Sequence, residues 1–515
     1  MNGAESLVRT LVDAKVDVCF TNPGTSEMHF VAALDRVPGM RCVLGLFEGV
    51  ATGAADGYYR MAERPAATLL HLGPGLANGM ANLHNAKKAF SGIVNIVGDH
   101  AVEHLKHNAP LTSDLDTVCA PMSDVVIRSN SSRDIAADGA RAVTAARTAP
   151  GQIATLILPA DTAWNESDGP VRAEEPAPRP AVDAGAIATA AKALRSGRKG
   201  ALLLGGVGLR GEGLELAGRI AAKTGCSLFA EGLVARLERG AGRVKVTRLP
   251  YPVDQARALL EPYGELILVG TQPPVSFFAY PDKPSVTTPP DCRINRLAEI
   301  GEDIVGALRA LAEAVDALGT APADVAPLAR PEVPTGALNL ENIGYALAAL
   351  LPEQAIVVDE AVTSGRGFPV PTATAAPHDW LSSRGGSIGF GLPCAVGAAI
   401  ACPDRKVVCL EGDGSGMYTV QSLWTMARES LDILVVVFAN RGYQILRGEL
   451  TGVGVTEPGP NALRMLTVDQ PVIDWAALAR AQGVEATRVS DLASLVDALR
   501  SGLSSKGPRL VEVVL

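Results

Sequence analysis

The chain has 515 residues, with 46 Lys+Arg against 55 Asp+Glu and a formal charge of −9. With 47% apolar and only 20% charged residues it can bury large cores, which excludes global disorder. Its acidic balance, without a long Lys/Arg run, excludes nucleic acid as the main partner.

The N-terminal residues 1–5 carry neither a basic segment nor an apolar one, so no secretion signal is expected. No apolar stretch approaches the roughly 18 residues that span a bilayer. The eight cysteines form no CxxC pair and read as reduced, mostly buried hydrophobes. The expectation is a soluble, cytoplasmic protein without a membrane partner.

Along the chain, short apolar runs end in Gly-rich turns and are followed by helix-like stretches. Such runs occupy residues 67–71, 92–97, 201–204, 265–269, 355–358, 406–410 and 432–439. Two Pro-rich stretches, 167–183 and 320–334, read as linkers. They divide the chain into blocks 1–166, 184–319 and 335–515. Continuous apolar strands alternating with helices predict an α/β fold of three doubly wound, parallel-sheet domains. In such sheets ligands bind beyond the carboxyl ends of the strands. No short internal repeat is visible.

The most informative stretch is 406–440. An apolar strand runs directly into Gly412-Asp413-Gly414-Ser415. A helix is predicted over 418–428, and a second apolar strand ends at Asn440, followed by Gly442-Tyr443. A right-handed βαβ unit of this kind puts Asp413 and Asn440 at one edge of two parallel strands. A carboxylate, an amide oxygen and a backbone carbonyl near Gly442 are hard ligands suited to Mg²⁺, an ion commonly completed by phosphate oxygens. The glycines flanking Asp413 admit a diphosphate close to the backbone.

This arrangement resembles the diphosphate-binding motif of thiamine-diphosphate (ThDP) enzymes, GDG followed 25–30 residues later by Asn. The family's other signature is a glutamate in the first block. Glu48 supplies it, in an apolar and small-residue setting (residues 44–51) that disfavours a bare carboxylate. By resemblance, this carboxyl bonds N1′ of the cofactor's aminopyrimidine and promotes loss of the thiazolium C2 proton. The cofactor then serves as electron sink when a 2-oxo acid loses CO₂. The likeness covers nearly the whole chain. It implies a pyrimidine-binding, a middle and a diphosphate-binding domain, in that order, and a homodimer or homotetramer with sites between chains.

Among subfamilies the chain is similar to acetolactate synthase large subunits and benzoylformate decarboxylase. Residues 21–27 match their N-terminal loop. Residues 386–393 match the segment whose bulky residue, here Ile388, holds the cofactor bent. The resemblance makes Gly412, Asp413, Gly414, Ser415, Asn440, Gly442 and Tyr443 cofactor-binding residues, with Asp413, Asn440 and Gly442 on the metal. It gives His71 a proton-transfer role, for which imidazole is apt, and Thr25 the hydroxyl that meets the substrate carboxylate.

Other positions depart from the pattern. Phe278 or Ala279 stands where the decarboxylase carries a second histidine. Asp99 replaces a glutamine of the synthases, and residues 443–449 fit neither group. Asp99, His100 and Ile445 are candidate substrate contacts. His100, His104 and His107 have a spacing that could bind a transition metal, yet they have no Cys companion and lie close to Pro110. Gly205-Gly206-Val207-Gly208 is an incomplete dinucleotide motif, so FAD is possible but not favoured.

The expected activity is decarboxylation of a 2-oxo acid with transfer of the acyl carbanion to a carbonyl acceptor. Simple decarboxylation, an FAD-linked oxidase and a non-catalytic partner subunit are the alternatives.

Overall fold

The computed structural model describes residues 1–515 and contains three mostly parallel sheets, each wound on both faces by helices. The first sheet holds β1 (Val18–Thr21), β2 (Arg41–Leu44), β3 (Ala66–Leu70), β4 (Ile93–Asp99), β5 (Val125–Arg128) and β6 (Ile153–Pro159), in the order β2-β1-β3-β4-β6-β5. The next strands are β7 (Gly200–Leu204), β8 (Ser227–Ala230), β9 (Leu237–Arg239), β10 (Thr247–Arg248), β11 (Glu265–Val269) and β12 (Arg293–Ala298). Five of them form the second sheet, β10-β8-β7-β11-β12.

The third sheet contains β13 (Ile356–Glu360), β14 (His378–Ser382), β15 (Val407–Gly412), β16 (Ile433–Ala439), β17 (Glu485–Val489) and β18 (Arg509–Val514). Its order is β17-β18-β16-β15-β13-β14-β9, so the short β9 crosses over from the middle of the chain. β9 pairs antiparallel with β14 and covers an edge that would otherwise stand open.

Renumbered from their first strands, the first and third sheets have the same topology. β1 corresponds to β13, β2 to β14, and β3 and β4 to β15 and β16. The repeat escaped sequence inspection because only the alternation of buried strands and helices is shared.

Two corresponding helices, Glu48–Ala62 after β2 and Gly391–Ala401 after β14, pack face to face. Small residues allow this approach: a Cβ on Gly57 would lie 2.1 Å from the Cys394 carbonyl oxygen, and one on Gly397 would lie 1.9 Å from that of Ala54. One continuous apolar core accordingly includes Ala54, Tyr58, Cys394 and Val396, and joins the two sheets. The middle sheet keeps cores of its own. Arg60 ties all three parts together. Its guanidinium grips Asp56 in a buried bidentate pair at 2.7 and 2.8 Å and donates to the carbonyls of Ala235 and Ser382.

Most apolar runs become strands within two residues of their expected ends. Two local expectations change. The helix predicted over 418–428 is a 3-10 turn, Gly416–Tyr418, and a shorter helix, Ser422–Arg428. Gly73-Pro74-Gly75, read as a turn, lies in the first turn of the helix Leu72–Ala89, where proline is tolerated because its missing N–H has no intrahelical acceptor to serve. No helix is long and apolar enough to cross a membrane.

Candidate active site

In the first sheet, chemistry gathers beyond the carboxyl ends of β1, β2 and β3. Glu48 opens the helix after β2, and its Oε2 accepts from Asn78 Nδ2 at 3.0 Å. His71 directly precedes the helix after β3. The two flank Gly75, whose added Cβ would lie 3.0 Å from Glu48 Oε1 and 3.2 Å from the His71 Cβ.

His71 Nδ1 lies 2.9 Å from Glu27 Oε2, and the fully buried Glu27 carboxylate also accepts from Gly24 N–H at 2.7 Å and Ser26 Oγ–H at 2.5 Å. A carboxylate on Nδ1 orients the ring and leaves Nε2 for proton exchange. Sequence reading missed Glu27, although it lies within the matched loop 21–27. Thr25 is exposed, and it is Ser26 that faces His71, at 3.3 Å.

In the third sheet, register places Gly412 beside Phe438, so Asp413 and Asn440 leave adjacent strands at one edge. Asp413 is 5% exposed and makes no ion pair. Its Oδ2 accepts from Arg441 N–H at 2.7 Å, and Asn440 Oδ1 accepts from Gly442 N–H at 3.1 Å. Burial raises the Asp413 carboxyl, partly offset by the N–H groups of Arg441 and Gly414. A buried carboxylate held in no ion pair, next to an amide oxygen, is a donor set that fits a hard divalent ion. Tyr443 lies across Gly414, where an added Cβ would meet its ring at 2.5 Å. The Ile388 turn lies close by, since Gly389 O accepts from Thr419 Oγ1 at 3.1 Å.

Beneath this edge lies a carboxyl pair that sequence reading also missed. Glu360 and Glu411 are register partners on β13 and β15, and both are fully buried. Glu360 Oε2 accepts from Gly391 N–H at 2.7 Å, and Glu411 Oε1 accepts from Ser415 Oγ–H at 2.5 Å and Gly412 N–H at 3.0 Å. Burial pushes Glu360 up to about 7 and, together with the Glu360 charge, raises Glu411 well above the usual carboxylate range. Two such groups retain protons because like charges in a dry site cannot both ionise.

The other predicted residues are placed as follows. Asp99 ends β4 and is committed on both oxygens, to Arg128 Nη1 at 2.8 Å and to His100 N–H at 2.7 Å. The rings of His100, His104 and His107 stand in series at 5.4 and 5.6 Å. No group of three His, Cys, Asp or Glu side chains in the chain could hold a metal ion. Ile445 lines a cavity with Tyr251, Tyr280, Arg366 and Glu449. Gly205 packs against the turn at Gly270 and Gly206 against Ile300 and Ile304; both border a cavity of about 260 Å³ lined by six arginines, four of which ion-pair with Asp or Glu.

The Glu48 carboxylate bonds Asn78, and that of Asp413 bonds Arg441.

Residues 1–118 match the family description "Thiamine pyrophosphate enzyme, N-terminal TPP binding domain", and residues 368–513 match its "C-terminal TPP binding domain". The chain is 51% identical to a Mycobacterium tuberculosis protein named "Putative acetolactate synthase large subunit IlvX", over 100% of this chain and 99% of that one. It is 28% identical to a Pseudomonas aeruginosa benzoylformate decarboxylase, over 96% and 95% of the two chains. A solved Rhodococcus jostii 4-hydroxybenzoylformate decarboxylase has the same fold, with a TM-score of 0.85 at 24% identity over 99% and 98% of the chains. The chain therefore belongs to the thiamine pyrophosphate (ThDP)-dependent enzymes, a family that includes both acetolactate synthases and 2-oxo acid decarboxylases.

Proposed function

We propose that this enzyme uses ThDP and Mg²⁺ to decarboxylate a 2-oxo acid and to transfer the acyl carbanion to a carbonyl acceptor, in the manner of an acetolactate synthase. The observation that carries the reading is the pair of intact clusters, Glu48 with His71 and Asp413 with Asn440, at the carboxyl edges of two like-wound sheets.

Blocks 1–166, 184–319 and 335–515 serve as the pyrimidine-binding, middle and diphosphate-binding domains. Asp413, Asn440 and the backbone at Gly442 hold the metal. Gly412, Gly414, Ser415 and Tyr443 bound the diphosphate space, and Ile388 shapes the cofactor. When bound, ThDP supplies a nucleophilic carbon and an electron sink for cleavage of the carboxylate–carbonyl bond. Glu48 would hydrogen-bond the pyrimidine through its carboxyl group. His71, oriented by Glu27, carries a proton to or from the reacting carbon. As the family resemblance implies, a homodimer or homotetramer completes the site between chains.

Protonation of the same carbanion, giving simple decarboxylation, is a second reading, and the Glu27–His71 pair specifically favours it. No observation favours flavin over a phosphate-free role for the cavity at Gly205. A panel of 2-oxo acids, supplied with ThDP and Mg²⁺ and scored for CO₂ and hydroxyketone, tests the proposal. Hydroxyketone formation supports transfer, aldehyde alone supports the second reading, and absence of CO₂ from every acid overturns both.

A further inference from the structure

We propose that the buried pair Glu360 and Glu411 is a strut that fixes the Ile388 turn against the diphosphate turn 412–415, so that one chain presents both turns to one cofactor at a set separation. The proposal rests on the roles given to Ile388, Asp413 and Ser415 above.

Both turns belong to the third sheet, one following β14 and the other following β15, and β13 runs between those two strands. Glu360 is the last residue of β13 and the register partner of Glu411, which directly precedes Gly412. Its Oε2 accepts from Gly391 N–H at 2.7 Å, at the start of the helix Gly391–Ala401. A helix start leaves N–H groups without intrahelical acceptors, and Phe390, just before it, offers no side-chain acceptor. Glu411 serves the other turn. Its Oε1 accepts from Gly412 N–H at 3.0 Å and from Ser415 Oγ–H at 2.5 Å, two bonds that bracket Asp413.

Each carboxyl thus keeps one oxygen for its neighbour. Glu360 Oε1 and Glu411 Oε2 have no other partner, and the two groups hydrogen-bond each other through a proton held between them. Two bare carboxylates could not stand this close in a dry site. The space around them is closed as well. A Cβ on Gly391 would lie 2.4 Å from Glu411 Oε2 and 3.0 Å from the Glu360 Cβ, so glycine lets both carboxyls reach the helix start. On the far side, a Cβ on Gly416 would lie 2.9 Å from the Glu411 Cγ and 2.7 Å from the Trp475 ring. Contacts therefore run from Gly391 through Glu360 and Glu411 to Ser415 without an exposed link, and close-packed interiors transmit displacement along such a path.

The shared proton makes the test specific. A single glutamine at either position keeps the strut, because its amide oxygen accepts from the backbone and its NH₂ donates to the remaining carboxylate. Glutamine at both positions turns two NH₂ groups toward each other with no acceptor between them. Glu360→Met keeps the volume and cuts the link from the β13 side, leaving the bonds of Glu411 to Gly412 and Ser415 in place. Backbone amide exchange of residues 388–392 and 412–416 is measured by mass spectrometry on the full-length protein without cofactor, and Mg²⁺–ThDP affinity by calorimetry. Glu360→Gln and Glu411→Gln should each stay within about threefold of the native chain in exchange and affinity. The double glutamine variant and Glu360→Met should speed exchange about tenfold or more in both segments, and weaken Mg²⁺–ThDP binding about tenfold or more.

A Glu360→Met variant that loosens 388–392 but not 412–416 overturns the proposal, because Glu360 would then only cap its helix. A single glutamine variant that loosens either turn or does not fold overturns it too. So does faster exchange with unchanged affinity, since the pair would then serve the fold and not the cofactor. If the double glutamine variant alone fails to fold, that is the same non-additivity in stronger form and supports the strut. If Glu360→Met does not fold, the glutamine series decides. Asp413→Ala separates the two levels: retained Mg²⁺–ThDP affinity there removes the diphosphate role of this turn and the purpose of the strut with it. If Asp413→Ala loses affinity while Glu360→Met leaves 412–416 unchanged, only the strut fails.

Discussion

Replacing Glu360 by Gln should remove a pH dependence from the stability of the third sheet. Glu360 is fully buried, its Oε1 has no hydrogen-bond partner, and Glu411 stands beside it. Burial raises its carboxyl from 4.5 to about 7. The folded-state value lies above the unfolded one, so this group's stabilisation is fully present below pH 4.5 and is lost as pH rises through about 7. Between about pH 5 and about pH 8 the difference in protonation amounts to about 2–3 kcal/mol. A glutamine keeps the acceptor for Gly391 N–H, has nearly the same volume and cannot ionise.

Urea unfolding of the cofactor-free protein at the two pH values, followed by tryptophan fluorescence, measures the effect. Trp475 is a suitable reporter because it is fully buried and packs on Gly416, next to the Glu411 side chain. The stability of Glu360→Gln relative to the native chain should rise by about 2–3 kcal/mol from pH 5 to pH 8. A gap constant to within about 0.5 kcal/mol would refute the reasoning, because the pair would then not retain its protons as burial demands.

Three further outcomes are expected. Asp413→Ala should weaken Mg²⁺–ThDP binding by about a hundredfold or more, seen by calorimetry, since outer partners alone are worth 10–100-fold in metal affinity; retained affinity would exclude Asp413 as a ligand. Glu27→Gln should lower kcat about 10–100-fold with little change in KM, because His71 loses the charge that fixes its ring; an unaltered pH–rate profile would count against it. Arg60→Ala should destabilise the chain by about 3–5 kcal/mol in thermal unfolding, as it strands the buried Asp56 carboxylate, whereas Asp56→Asn in the same background should recover part of the loss.

The site was legible in the sequence wherever chemistry follows a continuous apolar run. Asp413 and Asn440 could be paired because two buried strands joined by a helix leave little choice of register edge. Glu48 stood out only through its resemblance to the family motif. The edge strands β5, β12 and β17 were not legible, because exposed faces break the apolar run on which such a reading depends.

The sequence by itself determined the local matters: which segments are strands, where glycines admit the backbone of a turn, and which carboxylates stand at strand ends. Only the tertiary structure decided what faces what. It joined Glu27 to His71 across 44 positions and Asn85 to Ser387 across 302. It also paired Glu360 with Glu411 and gave the first and third sheets one topology. Periodicity and turn chemistry act between neighbours along the chain, whereas hydrogen bonds and desolvation act through space and depend on how the packed elements bring distant residues together.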